Sequence, residues 1–127
     1  MTDIEEYPSA AEFEPTLNRL ITAIEKAGMT VFAQIDHAAG ARKVGMTMPP
    51  TIVLLYGNPK GGTPVMLASP LAALDLPLRV LLRQDGDGRT LMSFHPVAAT
   101  LRKADVPDAL AASLEPAQRL LIEAIKS

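Results

Sequence analysis

Apolar positions recur at steps of three and four along the stretch from Phe13 to Ala27. Leu17, Leu20, Ile21 and Ile24 fall on one face, which predicts an amphipathic helix. Ser9 and Glu12 have capping-box spacing, but a helix begun there would carry Pro15 past its first turn, where the missing N–H breaks a bond. A start near Glu12 or Phe13 keeps Pro15 in the tolerated first turn, and Gly28 supplies the stop. Ahead of this helix, weak alternation over Thr2–Tyr7 predicts a short edge strand.

Beyond Gly28 the period changes to two. Thr30 to Ile35 alternates with Val31, Ala33 and Ile35 on one side, predicting a strand that ends at Asp36 and His37. A short helix over Ala38–Val44, closed by Gly45, leads to Pro49-Pro50 and then to Thr51–Tyr56, a nearly all-apolar run expected of a central strand. Gly57-Asn58-Pro59-Lys60-Gly61-Gly62 has the composition of a turn, after which Thr63 would cap a helix starting at Pro64. Leu78–Gln84 and Arg89–Phe94 flank Asp85-Gly86-Asp87-Gly88, and Asp-Gly steps supply the positive φ angles of a hairpin turn. Pro96–Arg102 suggests another short helix, and Pro107–Ile125 a helical stretch broken at Pro116, with Leu114, Ala117, Leu121 and Ile125 inward.

About five strands and two longer helices, with a late hairpin, imply an α+β two-layer sandwich: a largely antiparallel sheet with helices packed on one face. A chain of 127 residues is expected to form a single domain, 1–127. The opposite sheet face lacks a covering layer, so a second copy of the chain is the expected occupant and a homodimer the expected assembly.

Composition narrows the function classes. Twelve Lys and Arg against 14 Asp and Glu give a net charge of −2, and there are only three Phe, two Tyr and no Trp, so no nucleic-acid partner is expected. The acidic start is the reverse of a signal peptide, and Ile52–Tyr56 is far too short to span a bilayer; a cytoplasmic protein without membrane contact is expected. The absence of Cys removes thiolate ligands and thiol nucleophiles. Two His without helix-spaced carboxylates argue against a metal, and no cofactor motif is present. The Met residues lack the Cys or clustered His of a copper site and suit an adaptable apolar groove, for example near Met66. No Ser lies in a Gly-x-Ser-x-Gly elbow.

Two polar segments remain. The Gly57–Thr63 loop follows a strand and opens a helix, a context in which backbone N–H groups hold anions. Asn58, Lys60, Gly61, Gly62 and Thr63 would form that cradle, although Lys60 precedes the glycines and so departs from the phosphate-loop order; the competing reading is a tight turn. His37, beside Asp36 and five residues before Arg42, would complete a polar rim or serve as a general base; the competing reading is a His that only fixes its turn. Ligand binding between the His37 strand end and the Gly57–Thr63 loop, with a small anionic molecule, is therefore the leading expectation. A small enzyme using His37, or a purely structural dimerisation domain, are the alternatives.

The run Ile35-Asp36-His37-Ala38-Ala39-Gly40-Ala41, the loop Gly57-Asn58-Pro59-Lys60-Gly61-Gly62-Thr63-Pro64 and the segment Asp75-Leu76-Pro77-Leu78 together resemble the domain-of-unknown-function family numbered three hundred and two. The likeness runs in order from Phe13 to Thr100 and leaves the stretch after Asp105 outside. It implies a small α/β two-layer fold, commonly a homodimer, with no established activity and no catalytic residues to carry over.

Overall fold

The computed structural model describes residues 3–126. In chain order the elements are β1 (Glu5–Pro8), α1 (Phe13–Lys26), β2 (Thr30–Asp36), α2 (His37–Lys43), β3 (Thr51–Gly57), α3 (Pro59–Ala68), a 3₁₀ helix (Pro70–Asp75), β4 (Leu78–Gln84), β5 (Thr90–Phe94), α4 (Val97–Arg102), α5 (Asp108–Ala112) and α6 (Pro116–Ala124). The strands form one antiparallel sheet in the order β1-β5-β4-β3-β2. This is the α+β architecture that the periodicities imply. β1 is indeed an edge strand, and Thr2 lies outside the described residues.

Helix α1 begins at Phe13 and places Pro15 in its first turn, while Gly28 follows its end with φ +79°. Leu17, Leu20 and Ile24 bury against Leu54, Val80, Leu82 and Met92 of the sheet, joined by Leu121 of α6 and Ile125 just after it. Cross-strand pairs Leu54↔Val80 and Leu82↔Met92 put those sheet residues on one face, which carries the core. The reverse face shows Ile35, Val53 and Leu81 in one row across β2, β3 and β4.

Three sequence expectations need correction. The helix after β3 starts at Pro59 rather than Pro64: the Asn58 side chain accepts the Lys60 N–H at 3.0 Å and caps it, so Thr63 lies inside the helix. Pro59 at the first helical position sacrifices only an N–H that has no intrahelical partner, which makes Asn58-Pro59 the better start. The alternation in β2 is interrupted by a bulge between Val31 and Ala33. Val31 therefore packs toward the core, whereas Ala33 and Ile35 align with Leu55 and Val53 on the reverse face. β3 is interior but not central, since β4 occupies the middle of the sheet.

The Asp85–Gly88 hairpin turn is closed by its own carboxylate: Asp85 Oδ1 accepts the N–H groups of Asp87 and Arg89, both at 2.9 Å. On the reverse face Glu6 ties three strands, accepting from Ser93 at 2.8 Å and Arg83 at 3.2 Å. The Ser93 hydrogen bond, supported by Arg83, holds the Glu6 carboxyl below the usual glutamate range. A carboxylate whose pKa is depressed by folding stabilises above its unfolded pKa and loses that contribution as pH falls through the folded value. The stability difference between the native chain and Glu6→Gln should thus be present at neutral pH and vanish in acid below the usual glutamate range. Urea unfolding across that interval checks it; a difference that grows on acidification would contradict the assignment.

Candidate functional site

The register of β2 and β3 decides which polar residues meet. Thr30 pairs with Gly57, whereas Asp36 pairs with Ile52. His37 and the Gly57–Thr63 segment therefore stand at opposite ends of the strand pair, roughly 20 Å apart at about 3.3 Å per residue. The shared pocket expected between them is not formed. His37 is the exposed first residue of α2, and the neighbouring Asp36 carboxylate accepts the Ala39 N–H at 2.9 Å, capping that helix rather than orienting the imidazole. Arg42 is exposed in the last turn of the same helix, away from the loop.

The anion cradle is likewise closed from within. Lys60 N–H donates to the Asn58 side chain, and Gly61 and Gly62 N–H donate to the Asn58 carbonyl at 2.9 and 3.0 Å. Pro59 has no N–H, so the first turn of α3 offers these donors to Asn58 and not to a ligand. The Lys60 side chain is exposed.

What the Asn58–Thr63 segment does border is a half-open cavity of about 720 Å³. Gly61, Gly62, Thr63 and Met66 of α3 form one wall, with Asn58 and Pro59 at its end. Phe32, Leu55 and Gly57 close the sheet side; Leu76 and Pro77 follow from the link to β4. Leu114, Ala117 and Leu120 close the third side. Four of the seven expected site residues thus border this cavity, while His37, Arg42 and Lys60 do not.

Local sequence explains how the walls are held. Phe32 is the bulge residue of β2 and lies near Gly57, where an added Cβ would come 3.9 Å from its ring. At Gly62 an added Cβ would reach ordinary contact with Leu76 and Met66, both at 3.9 Å, so the glycine keeps the wall thin. Tyr56, fully buried, donates its O–H to the Ala117 carbonyl at 3.0 Å and fastens α6 to β3 beside the cavity; burial pushes its ionisation upward. Among the described residues no group of three or more His, Asp or Glu is placed to hold a metal ion.

The Asn58–Thr63 wall and the groove near Met66 were legible beforehand; the other walls were not. Phe32, Leu76 and Leu114 come from segments far apart in the chain, and no spacing rule links them. The Asn-Pro step was the available signal for the helix start that builds the wall.

An open antiparallel sheet with helices on one face and a preformed apolar cavity at one end defines a compact α+β two-layer domain, without an assembled catalytic constellation among the described residues. The chain belongs to the family described as Domain of unknown function DUF302, whose model matches residues 5–127. A crystal structure of an uncharacterised conserved DUF302 protein from Bacillus stearothermophilus has the same fold, with a TM-score of 0.84 over 98% of this chain and 97% of that one, at 17% identity.

Curated relatives include Fluoride-specific ion channel FluC 1 of Brucella suis biovar 1, 36% identical over 98 residues, which are 77% of this chain and 37% of that protein. Fluoride-specific ion channel FluC 2 of Brucella melitensis biotype 1 is 36% identical over 98 residues, 77% of this chain and 35% of its own length. The chain therefore spans little more than a third of the curated relatives it matches. No helix among the described residues is long and apolar enough to cross a membrane.

Proposed function

We propose that this chain is a binding module for a small molecule held in the cavity between α3, the sheet and the start of α6. The observation that carries the reading is the preformed space itself. At about 720 Å³ it falls in the range of small-molecule sites, and apolar walls surround a few polar groups. Its glycine-lined wall comes from the segment whose composition first suggested a ligand loop. The anionic ligand and the His37 general base lose their support, the first because the helix N–H groups are engaged, the second because His37 stands at the far end of β2. The channel function named for the longer relatives is not extended to this chain.

A thermal-shift screen with a fragment library tests the reading. Hits should raise the melting temperature of the native chain and of Lys60→Ala and His37→Ala equally, and lose their effect in Ala117→Leu, which intrudes on the cavity from the α6 side. Hits that survive Ala117→Leu but vanish in Lys60→Ala would move the site elsewhere.

A homodimer built on the bare sheet face is a second proposal. The row Ile35, Val53 and Leu81 supports it, with Ile35 42% exposed at the β2 edge, because an apolar row on an uncovered face gains from burial. Light scattering should give twice the chain mass, and Leu81→Arg the mass of one chain; a native monomer at micromolar concentration would refute it.

A further inference from the structure

We infer that the cavity selects an uncharged, mainly aliphatic molecule carrying one hydrogen-bond-accepting group, and that this group docks on the Asn58 carboxamide. The inference rests on the binding reading above and adds the chemical class of the ligand.

Charge is the first discriminator. Among the described residues no Asp, Glu, Lys, Arg or His borders the space. An ion leaving water for it would meet no counter-charge, and isolated charge in an apolar setting is strongly disfavoured. The usual substitute, the N-terminal N–H groups of a helix, is spent on Asn58 in α3.

The polar group left for a ligand follows from the same hydrogen bonds. The orientation of the Asn58 amide is fixed, because the Lys60 N–H can be met only by its oxygen, Oδ1. Its Nδ2, with two hydrogens, accordingly points its donors elsewhere, and no protein group among the described residues accepts from it. Asn58 is half-buried and borders the cavity, so a carbonyl, ester or ether oxygen suits it. The two hydroxyls at the rim are less suited: Thr63 is exposed, and Ser113 already donates to the Leu110 carbonyl at 2.6 Å.

The walls give the rest of the class. Met29, Met66, Leu76 and Leu120 are flexible aliphatic surfaces, and Phe32 is the single aromatic ring among the lining residues. Thioether side chains adapt their rotamers to a ligand's outline, so hydrocarbon of variable shape fits these walls.

Displacement of an uncharged fluorophore, N-phenyl-1-naphthylamine, tests the assignment on the full chain at mildly alkaline pH. Methyl decanoate and decanoate share a hydrocarbon tail and differ in head charge. The ester should displace the dye at a concentration lower by about tenfold or more than the carboxylate. Asn58→Asp keeps the capping oxygen, since Asp and Asn cap helices equally well, but replaces the donor by a negative charge; it should weaken the ester by about tenfold with the melting temperature little changed.

Decanoate displacing the dye as well as the ester would overturn the ligand class and leave the cavity reading standing. An unchanged ester affinity in Asn58→Asp would overturn the docking group. Dye that fails to bind the native chain, or binds Ala117→Leu equally well, would remove the cavity reading and this inference with it.

Discussion

Tyr56→Ala is expected to destabilise the domain by about 3–5 kcal/mol, the usual range for removing a large buried aromatic side chain. The ring is fully buried on the core face, where Tyr56 pairs with Val31 on one side and Leu78 on the other. Alanine would leave a cavity between β3 and α6 and also strand the Ala117 carbonyl. Since domains of this size have total stabilities of about 5–15 kcal/mol, that variant would lie near the limit of folding. Tyr56→Phe keeps the packing and deletes one hydrogen bond, for an expected loss of about 1 kcal/mol. Urea unfolding of both variants separates the contributions. Equal losses would mean that the hydroxyl, rather than the ring, carries the effect.

Gln118→Met should produce the second large loss, about 2–4 kcal/mol, despite a nearly conserved volume. Gln118 is 5% exposed, and its carboxamide is used at both ends: Oε1 accepts the Val97 N–H and Nε2 donates to the His95 carbonyl, each at 2.9 Å. The side chain thereby joins α6 to the chain between β5 and α4, where Pro96 provides no N–H of its own. A thioether meets neither backbone group well, and an unsatisfied buried donor costs more than a lost hydrogen bond returns. Thermal unfolding measures the loss, and hydrogen exchange at Val97 localises it. Unchanged protection of that amide would count against the assignment.

Much of the architecture is written in local patterns. The α1 face of Leu17, Leu20 and Ile24 follows from helical period, and the β4–β5 hairpin from Asp-Gly chemistry between two apolar runs. Both depend on neighbours within a few residues, which is why they can be read without coordinates. The break at Pro116 is of the same kind, and it does divide α5 from α6.

Other features depend on partners that a linear reading cannot place. Gly61 and Gly62 are poor helix formers, yet Asn58 capping and the packing of fully buried Val65 carry them into α3. Asp36 beside His37 suggested a paired site, but the short-range need to cap α2 claims the carboxylate. The antiparallel register then separates His37 from the Gly57 turn, a consequence of strand direction that residue types alone do not reveal. Gln118 gave no signal at all, because its two backbone partners are some twenty residues earlier in the chain.

The position of β1 bears on how the protein is made. Among the described residues its only neighbour in the sheet is β5, with Glu5 opposite Phe94, and α1 packs on α6. Within this domain β1 and α1 thus wait for partners that follow them in the chain, β5 and α6. Until then the apolar side of α1 is without its α6 cover, a period in which a nascent chain is open to aggregation or to chaperone capture.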